Sequence, residues 1–66
     1  MDAEEVKRRV ADIAESADDP EGAHSMEDAL YKDVLKFIKS GQCADPQYFA
    51  ILALEAEKIE FPRWMA

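Results

Sequence analysis

The stretch that decides the fold is residues 26–38, which read MEDALYKDVLKFI. Apolar residues recur in it at intervals of three and four, the spacing that puts side chains on one face of an α-helix. One row comprises Met26, Leu30, Val34 and Phe37, and an adjacent row comprises Tyr31, Leu35 and Ile38. Two apolar rows indicate contact on two sides, so we predict that this helix is the centre of an all-α bundle.

This helix has two candidate starts. Asp19 can cap it with Pro20 at the first helical position, or Ser25 can cap it later, with an acid three residues on completing a capping box. We favour the earlier start, although it places Gly22 inside the helix at a cost of about 1 kcal/mol relative to Ala. The predicted second helix then covers about residues 20–40.

Turn residues separate this helix from the next one. Gly41 is a good helix terminator, because glycine adopts the left-handed conformation at little cost. Asp45-Pro46 repeats the signal of a cap followed by proline, so a third helix is predicted over about residues 46–58. It should end there, because the residue before Pro62 is biased to an extended conformation.

The third helix is apolar on more than one face. Phe49, Leu52, Ala53 and Ala56 share one face, and Tyr48, Ile51 and Leu54 share another. A helix this apolar is either enclosed or shared with a second molecule. We therefore expect a protein-interaction surface, whose candidate residues here and in the tail are Tyr48, Ile51, Leu54, Phe61, Trp64 and Met65.

The tail, residues 59–66, is predicted to be a short extended or irregular segment rich in large apolar side chains. Two readings of it remain open. Phe61, Trp64 and Met65 can fold back to complete the core of a small chain, which we favour, or they can anchor an interface, where tryptophan often contributes most of the binding energy. The readings merge if the tail packs across a dimer.

A first helix is predicted over about residues 3–17. Asp2 followed by Glu5 has the form of a helix N-cap with an acid at the third helical position. Its apolar stripe is narrow and small in volume: Ala3, Val6, Val10, Ile13 and Ala17. We expect it to cover the outside of the other two, giving a single three-helix domain over residues 1–66.

The charge is distributed unevenly. The formal net charge is −7, and residues 1–28 contain ten acids against three basic residues, whereas the remainder holds five of each. An acidic face is predicted at Asp12, Glu15, Asp18, Asp19 and Glu21. It is either a solvated surface that maintains solubility or a surface that docks on a basic, nucleic-acid-binding protein as a mimic of phosphate charge.

Other function classes are disfavoured. His24 is the only histidine, and no constellation for acid–base or nucleophilic catalysis accompanies it, so we expect no enzyme and no cofactor. His24, Glu27 and Asp28, with Cys43 in addition, are a weak metal-site pattern because structural sites show paired Cys or His ligands. The acidic balance argues against direct nucleic-acid binding.

The predicted compartment is the cytoplasm. Cys43 cannot form an internal disulfide, the chain does not open on a secretory signal, and no apolar run approaches the roughly 20 residues that a membrane span needs. The expected partner is therefore a soluble protein or a second copy of this chain.

Two segments carry a resemblance to known proteins. AHSMEDAL, residues 23–30, and IEFPRWMA, residues 59–66, resemble a group of short helical proteins of actinobacteria and their phages, over residues 23–66. The group has no activity to transfer to this chain. The resemblance implies a small cytoplasmic accessory protein of an actinobacterium or of a phage, and one that acts in the host cytoplasm if a phage encodes it.

Overall fold

A computed structural model describes residues 1–63 and contains three α-helices: α1 (Ala3–Glu15), α2 (Pro20–Lys39) and α3 (Pro46–Leu54). A short 3₁₀ helix, Glu55–Lys58, follows α3 directly. The described residues include no β-strand, and each α-helix contacts the other two. The protein is a small all-α three-helix bundle, as its sequence predicts.

Each α-helix begins at an aspartate whose side chain accepts a hydrogen bond from a backbone N–H three residues later. These bonds join the N–H of Glu5 to Asp2, of Gly22 to Asp19 and of Tyr48 to Asp45, over 2.8, 3.3 and 3.1 Å. Such caps satisfy backbone donors that have no partner within the helix. The earlier of the two candidate starts of the second helix is therefore confirmed.

The first helix ends at Glu15, two residues before its predicted limit, whereas the third helical segment, α3 continued by the 3₁₀ helix, reaches its predicted limit at Lys58. At the end of α1, the backbone N–H of Ser16 donates to carbonyl oxygens of the last turn. Asp19, which caps α2, follows three residues later. After Leu54 the helix tightens into 3₁₀ geometry, and Ile59 adopts an extended conformation. Phe61, two residues further on, lies in the core. Gly41 has φ +81°, the left-handed conformation expected of a terminator.

The core receives side chains from every helix. It consists of Val6, Ile13, Ala23, Leu30, Val34, Ala53, Ala56 and Phe61. Val6 and Ile13 of α1 are fully buried, and α1 contacts the 3₁₀ helix as well as α2 and α3. The expectation that α1 is an outer cover is therefore wrong. Val6 and Ile13, spaced seven residues apart on the narrow stripe, belong to the same core as residues of α2 and α3.

No helix within residues 1–63 is both long enough and apolar enough to cross a membrane.

Candidate interaction surface

Three of the predicted interface residues form an exposed strip along α3, which we call the α3 face: Tyr48, Ile51 and Leu54. Their exposed fractions are 40, 54 and 49%. In the described part of the chain, the other large apolar side chains that are exposed are Leu35, at 66%, and Met1. Exposed apolar area is thus concentrated on α3 and the adjoining side of α2.

The α3 face stays outside because the opposite side of α3 already packs on the bundle. Ala53 is buried, and Phe49 packs against Phe37 of α2 with ring centroids 5.3 Å apart and a 52° interplanar angle. A helix buries one side against its neighbours. Since α3 is apolar on all sides, its remaining side presents apolar atoms to water.

Tyr48 lies at the α1 edge of this strip. Electrostatic interaction with Tyr48, and then with Glu4, raises the pKa of Lys7 of α1. The ring of Tyr48 also meets the edge of Phe49, with centroids 6.3 Å apart. The α3 face therefore runs from the α1 side of the molecule to its α2 side.

An open apolar groove lies between α2 and α3 beside Leu54. We call it the α2–α3 groove; its volume is about 240 Å³, and its lining residues are Tyr31, Val34, Leu35, Ile38, Ala50, Ala53 and Leu54. The atoms that face the groove are apolar. Sequence periodicity placed Leu35 on a packed face of the second helix, yet 66% of this residue is exposed.

A buried carboxylate joins the C-terminal segment to α2. Glu27 is 3% exposed. Its Oε1 accepts from Arg63 Nε at 2.9 Å, and its Oε2 accepts from Arg63 Nη2 and from the Tyr31 hydroxyl, each at 3.0 Å. This two-pronged pairing fixes both position and orientation of the guanidinium.

Arg63 also holds the end of the 3₁₀ helix. Its Nη2 lies 3.1 Å from the carbonyl oxygens of Ala56 and Ile59, and its Cζ lies 3.9 Å from the centroid of the Phe61 ring. The carbonyls at a helix end lack partners within the helix, and an arginine in this position satisfies them. One side chain thus secures the whole turn from the 3₁₀ helix to Arg63.

The ionisation of these groups follows from the pairing. Burial raises the pKa of Glu27, but hydrogen bonds from Arg63 and Tyr31 and the charge of Arg63 outweigh it, so the net pKa is lowered. Burial and the adjacent Glu27 carboxylate raise the pKa of Tyr31 to about 12. The hydrogen bond to Glu27 raises the pKa of Arg63. Glu27 is therefore an anion at neutral pH and Tyr31 a neutral donor.

This network was not among the features predicted from the sequence. Glu27 interrupts a helical row of buried residues, Ala23, Leu30 and Val34, and a carboxylate in such a row predicts a buried partner of opposite charge. That pattern was the available signal. Nothing local identifies Arg63 as the partner, because 36 residues separate the two in the chain.

The predicted interface residues of the tail divide into two groups. Phe61 is 8% exposed and belongs to the core, so within this chain it folds back and is not a free surface anchor. Trp64 and Met65 lie outside the described residues, and their predicted role stays a prediction.

The predicted acidic face consists entirely of exposed side chains: Asp12, Glu15, Asp18, Asp19 and Glu21. Within the part of the chain that the structure describes, none of the five forms an ion pair, whereas Glu4, Glu5, Asp33 and Glu55 do. We call these five residues the acidic face. Asp19 has a structural role in addition, as the cap of α2.

The weak metal pattern does not assemble into a site. Nε2 of His24 lies 3.5 Å from Oδ1 of Asp28, but both oxygens of Glu27 accept from Arg63 and Tyr31. Within residues 1–63, no three side chains of His, Cys, Asp or Glu lie close enough to hold a metal ion.

Comparisons of the chain with protein-family models, with curated proteins and with solved structures found no match.

Proposed function

We propose that this protein is a small, non-enzymatic protein-interaction module that binds a protein partner through the α3 face. The observation that carries the proposal is the concentration of half-exposed large apolar side chains, Tyr48, Ile51 and Leu54, on one side of a single helix. Contiguous exposed apolar surface on a small protein is a common mark of an interaction site, and aromatic and aliphatic anchors contribute strongly to such interfaces.

The charge distribution supports the same assignment. Residues 29–66 carry as many basic as acidic side chains. The part of the sequence that contains α3 therefore adds no net charge to the surface that a partner meets. The resemblance of residues 23–66 to short proteins of actinobacteria and phages supports a role as a cytoplasmic accessory protein.

The test compares the native chain with Ile51→Glu and with a control, Ala11→Glu. Ile51 and Ala11 are both exposed, so each substitution adds one negative charge to the surface while the core stays intact, which thermal melting verifies. Each of the three proteins is immobilised and used to capture proteins from the native host. We expect a host protein that the native chain and A11E retain and that I51E does not. Calorimetry with that purified partner should give the same pattern. If every retained protein binds I51E equally, the α3 face is not the binding surface.

A second candidate function rests on the acidic face. Five exposed carboxylates without ion pairs among the described residues form a surface that attracts basic proteins, and a nucleic-acid-binding protein would be inhibited by a mimic of phosphate charge. This function predicts a complex that dissociates as salt is raised, that weakens in Asp12→Asn/Glu15→Gln and that tolerates Ile51→Glu. A complex that withstands salt, tolerates Asp12→Asn/Glu15→Gln and is lost in Ile51→Glu assigns binding to the α3 face instead.

A further inference from the structure

The α3 face and the α2–α3 groove lie side by side. The α3 face is an exposed apolar strip, and Leu54 belongs both to this strip and to the lining of the groove. Leu35, on the α2 wall of the groove, is 66% exposed. A second copy can therefore lay its strip on the groove of the first while the reverse contact forms at the same time, as in two-fold symmetric dimers.

The two walls of the groove belong to segments of opposite net charge. Residues 29–40, which contain the α2 wall, hold three lysines and one acid, a net charge of +2. Residues 41–63, which contain α3 and the 3₁₀ helix, hold four acids, one lysine and one arginine, a net charge of −2. A surface that is basic on one side and acidic on the other can be complementary to a second copy of itself.

Opposite charges flank the exposed leucines of the two walls. Lys32 and Lys39 lie three residues before and four residues after Leu35, so the three share one row of α2. Glu57 follows Leu54 by three residues, the spacing that aligns side chains in 3₁₀ geometry. All three charged side chains are exposed, and none of them forms an ion pair within residues 1–63.

The direction of the helices determines which of these charges can meet. Near one end of the groove, Phe37 of α2 packs on Phe49 of α3. Near the other end, Arg63 Nη2 bonds to Glu27 of α2 and to the carbonyl of Ala56. The two helices are therefore antiparallel, and the 3₁₀ helix lies level with the first lysine of the α2 row.

We propose that the partner of the α3 face is a second copy of this chain, in a two-fold dimer that places Leu54 of each copy against Leu35 of the other and Glu57 against Lys32. The two-fold axis runs along the groove, parallel to the helices, so α3 of each copy lies on α2 of the other. An axis across the groove would stack α2 on α2 and oppose the lysines, and like charges across an interface weaken it. The inference rests on the proposed function, because it names the partner of the same surface.

The first test is the mass in solution, measured by light scattering over a range of concentrations. The native protein should approach twice the chain mass of 7.5 kDa as the concentration rises. Leu35→Glu should weaken dimerisation by about thirtyfold, the effect typical of a central contact in an interface. Ala11→Glu adds the same charge at an exposed position of α1 and should weaken it less. Circular dichroism verifies that both variants remain folded.

The second test addresses the pairing of Lys32 with Glu57. Lys32→Glu and Glu57→Lys each oppose like charges across the two-fold axis, so each should weaken dimerisation. An equimolar mixture of K32E and E57K should dimerise more tightly than either alone, because opposite charges then meet at both contacts. Mixing leaves every contact within a chain unchanged, so this recovery reports on contact between copies. Arg8→Glu, which changes the net charge as K32E does at an exposed position of α1, should weaken dimerisation less.

Three outcomes would overturn the inference: a native protein that stays monomeric up to about 1 mM, a dimer that L35E weakens no more than A11E does, or a mixture no tighter than its two components. These outcomes are separable from failure of the proposed function. A monomer that retains a host protein which I51E loses would keep the α3 face as a binding surface and remove the second copy as its partner.

Discussion

Glu27 lies on the buried face of α2, where the other buried residues are apolar. It is tolerated there because Arg63 and Tyr31 together satisfy both of its oxygens. A buried charge without a partner is strongly unfavourable, so the two members of such a pair are not equivalent when removed one at a time. Arg63 is a third exposed and retains access to water, but Glu27 does not.

Substitutions at the two positions should therefore have unequal effects on stability. Glu27→Gln should lower the free energy of unfolding by about 1–2 kcal/mol, since the amide keeps hydrogen-bonding capacity but loses the charge. Arg63→Met should cost more than E27Q, because it leaves the carboxylate buried with Tyr31 as its remaining partner. Urea unfolding measures both. A smaller loss in R63M than in E27Q would contradict this account.

The same pairing predicts a pH dependence. The pKa of Glu27 is lower in the folded protein than its ordinary value of 4.5, so its ionic contribution to stability is fully present above that ordinary value. It is lost as the pH falls through the lowered folded-state value. The difference in unfolding free energy between the native protein and E27Q should shrink as the pH is lowered below about 4.5. Glu15→Gln, at an exposed carboxylate, is the control. A difference in unfolding free energy between the native protein and E27Q that stays constant with pH would count against an ionised Glu27.

At the scale of the element, each helix is specified by its own start signal. Asp2, Asp19 and Asp45 all cap, and proline follows two of them. This is why three helices and the earlier start of α2 could be predicted from the sequence. The end of α1 and the change of α3 to 3₁₀ geometry after Leu54 could not, because no glycine or proline marks either position.

Gly22 shows how the cap constrains its helix. A Cβ at this position would lie 2.5 Å from Oδ2 of Asp19. Helix propensity alone predicts that Gly22→Ala stabilises by about 1 kcal/mol, but the methyl group would displace the capping carboxylate, whose loss costs about the same. We expect G22A to change stability little in the native chain and to stabilise it by about 1 kcal/mol when Asp19→Ala is also present. Equal effects of G22A in both backgrounds, measured by thermal unfolding, would show that the cap tolerates the methyl group.

At the scale of the whole molecule, the excess of negative charge belongs to α1, its connection to α2 and the first part of α2. Residues 1–28 hold the net charge of −7, and the acidic face contributes no ion pair within residues 1–63. Like charges so close together destabilise a compact state through repulsion. The α3 face and the α2–α3 groove consist of residues in the part of the sequence whose charges balance, and α1 packs against α3.

This repulsion predicts that added salt stabilises the protein. The melting temperature should rise as sodium chloride is increased from low concentration, since the Debye length falls to about 10 Å at 0.1 M. The rise should be smaller in Glu15→Gln/Asp18→Asn, which removes two charges from the acidic face. Glu55→Gln, which instead breaks an exposed pair with Lys58, should not reduce it. Equal salt slopes in all three proteins would show that the acidic face exerts no net repulsion.

The sequence by itself determined the helical class, the three caps, the glycine terminator and the segregation of charge, because all of these depend on residues close together in the chain. Only the tertiary structure decided that Val6 and Ile13 place α1 in the core, that Glu27 pairs with Arg63 and that Leu35 is left uncovered. Periodicity identifies the apolar side of each helix separately. Which of these sides meet, and how much of each is covered, depends on the packing of all the elements together.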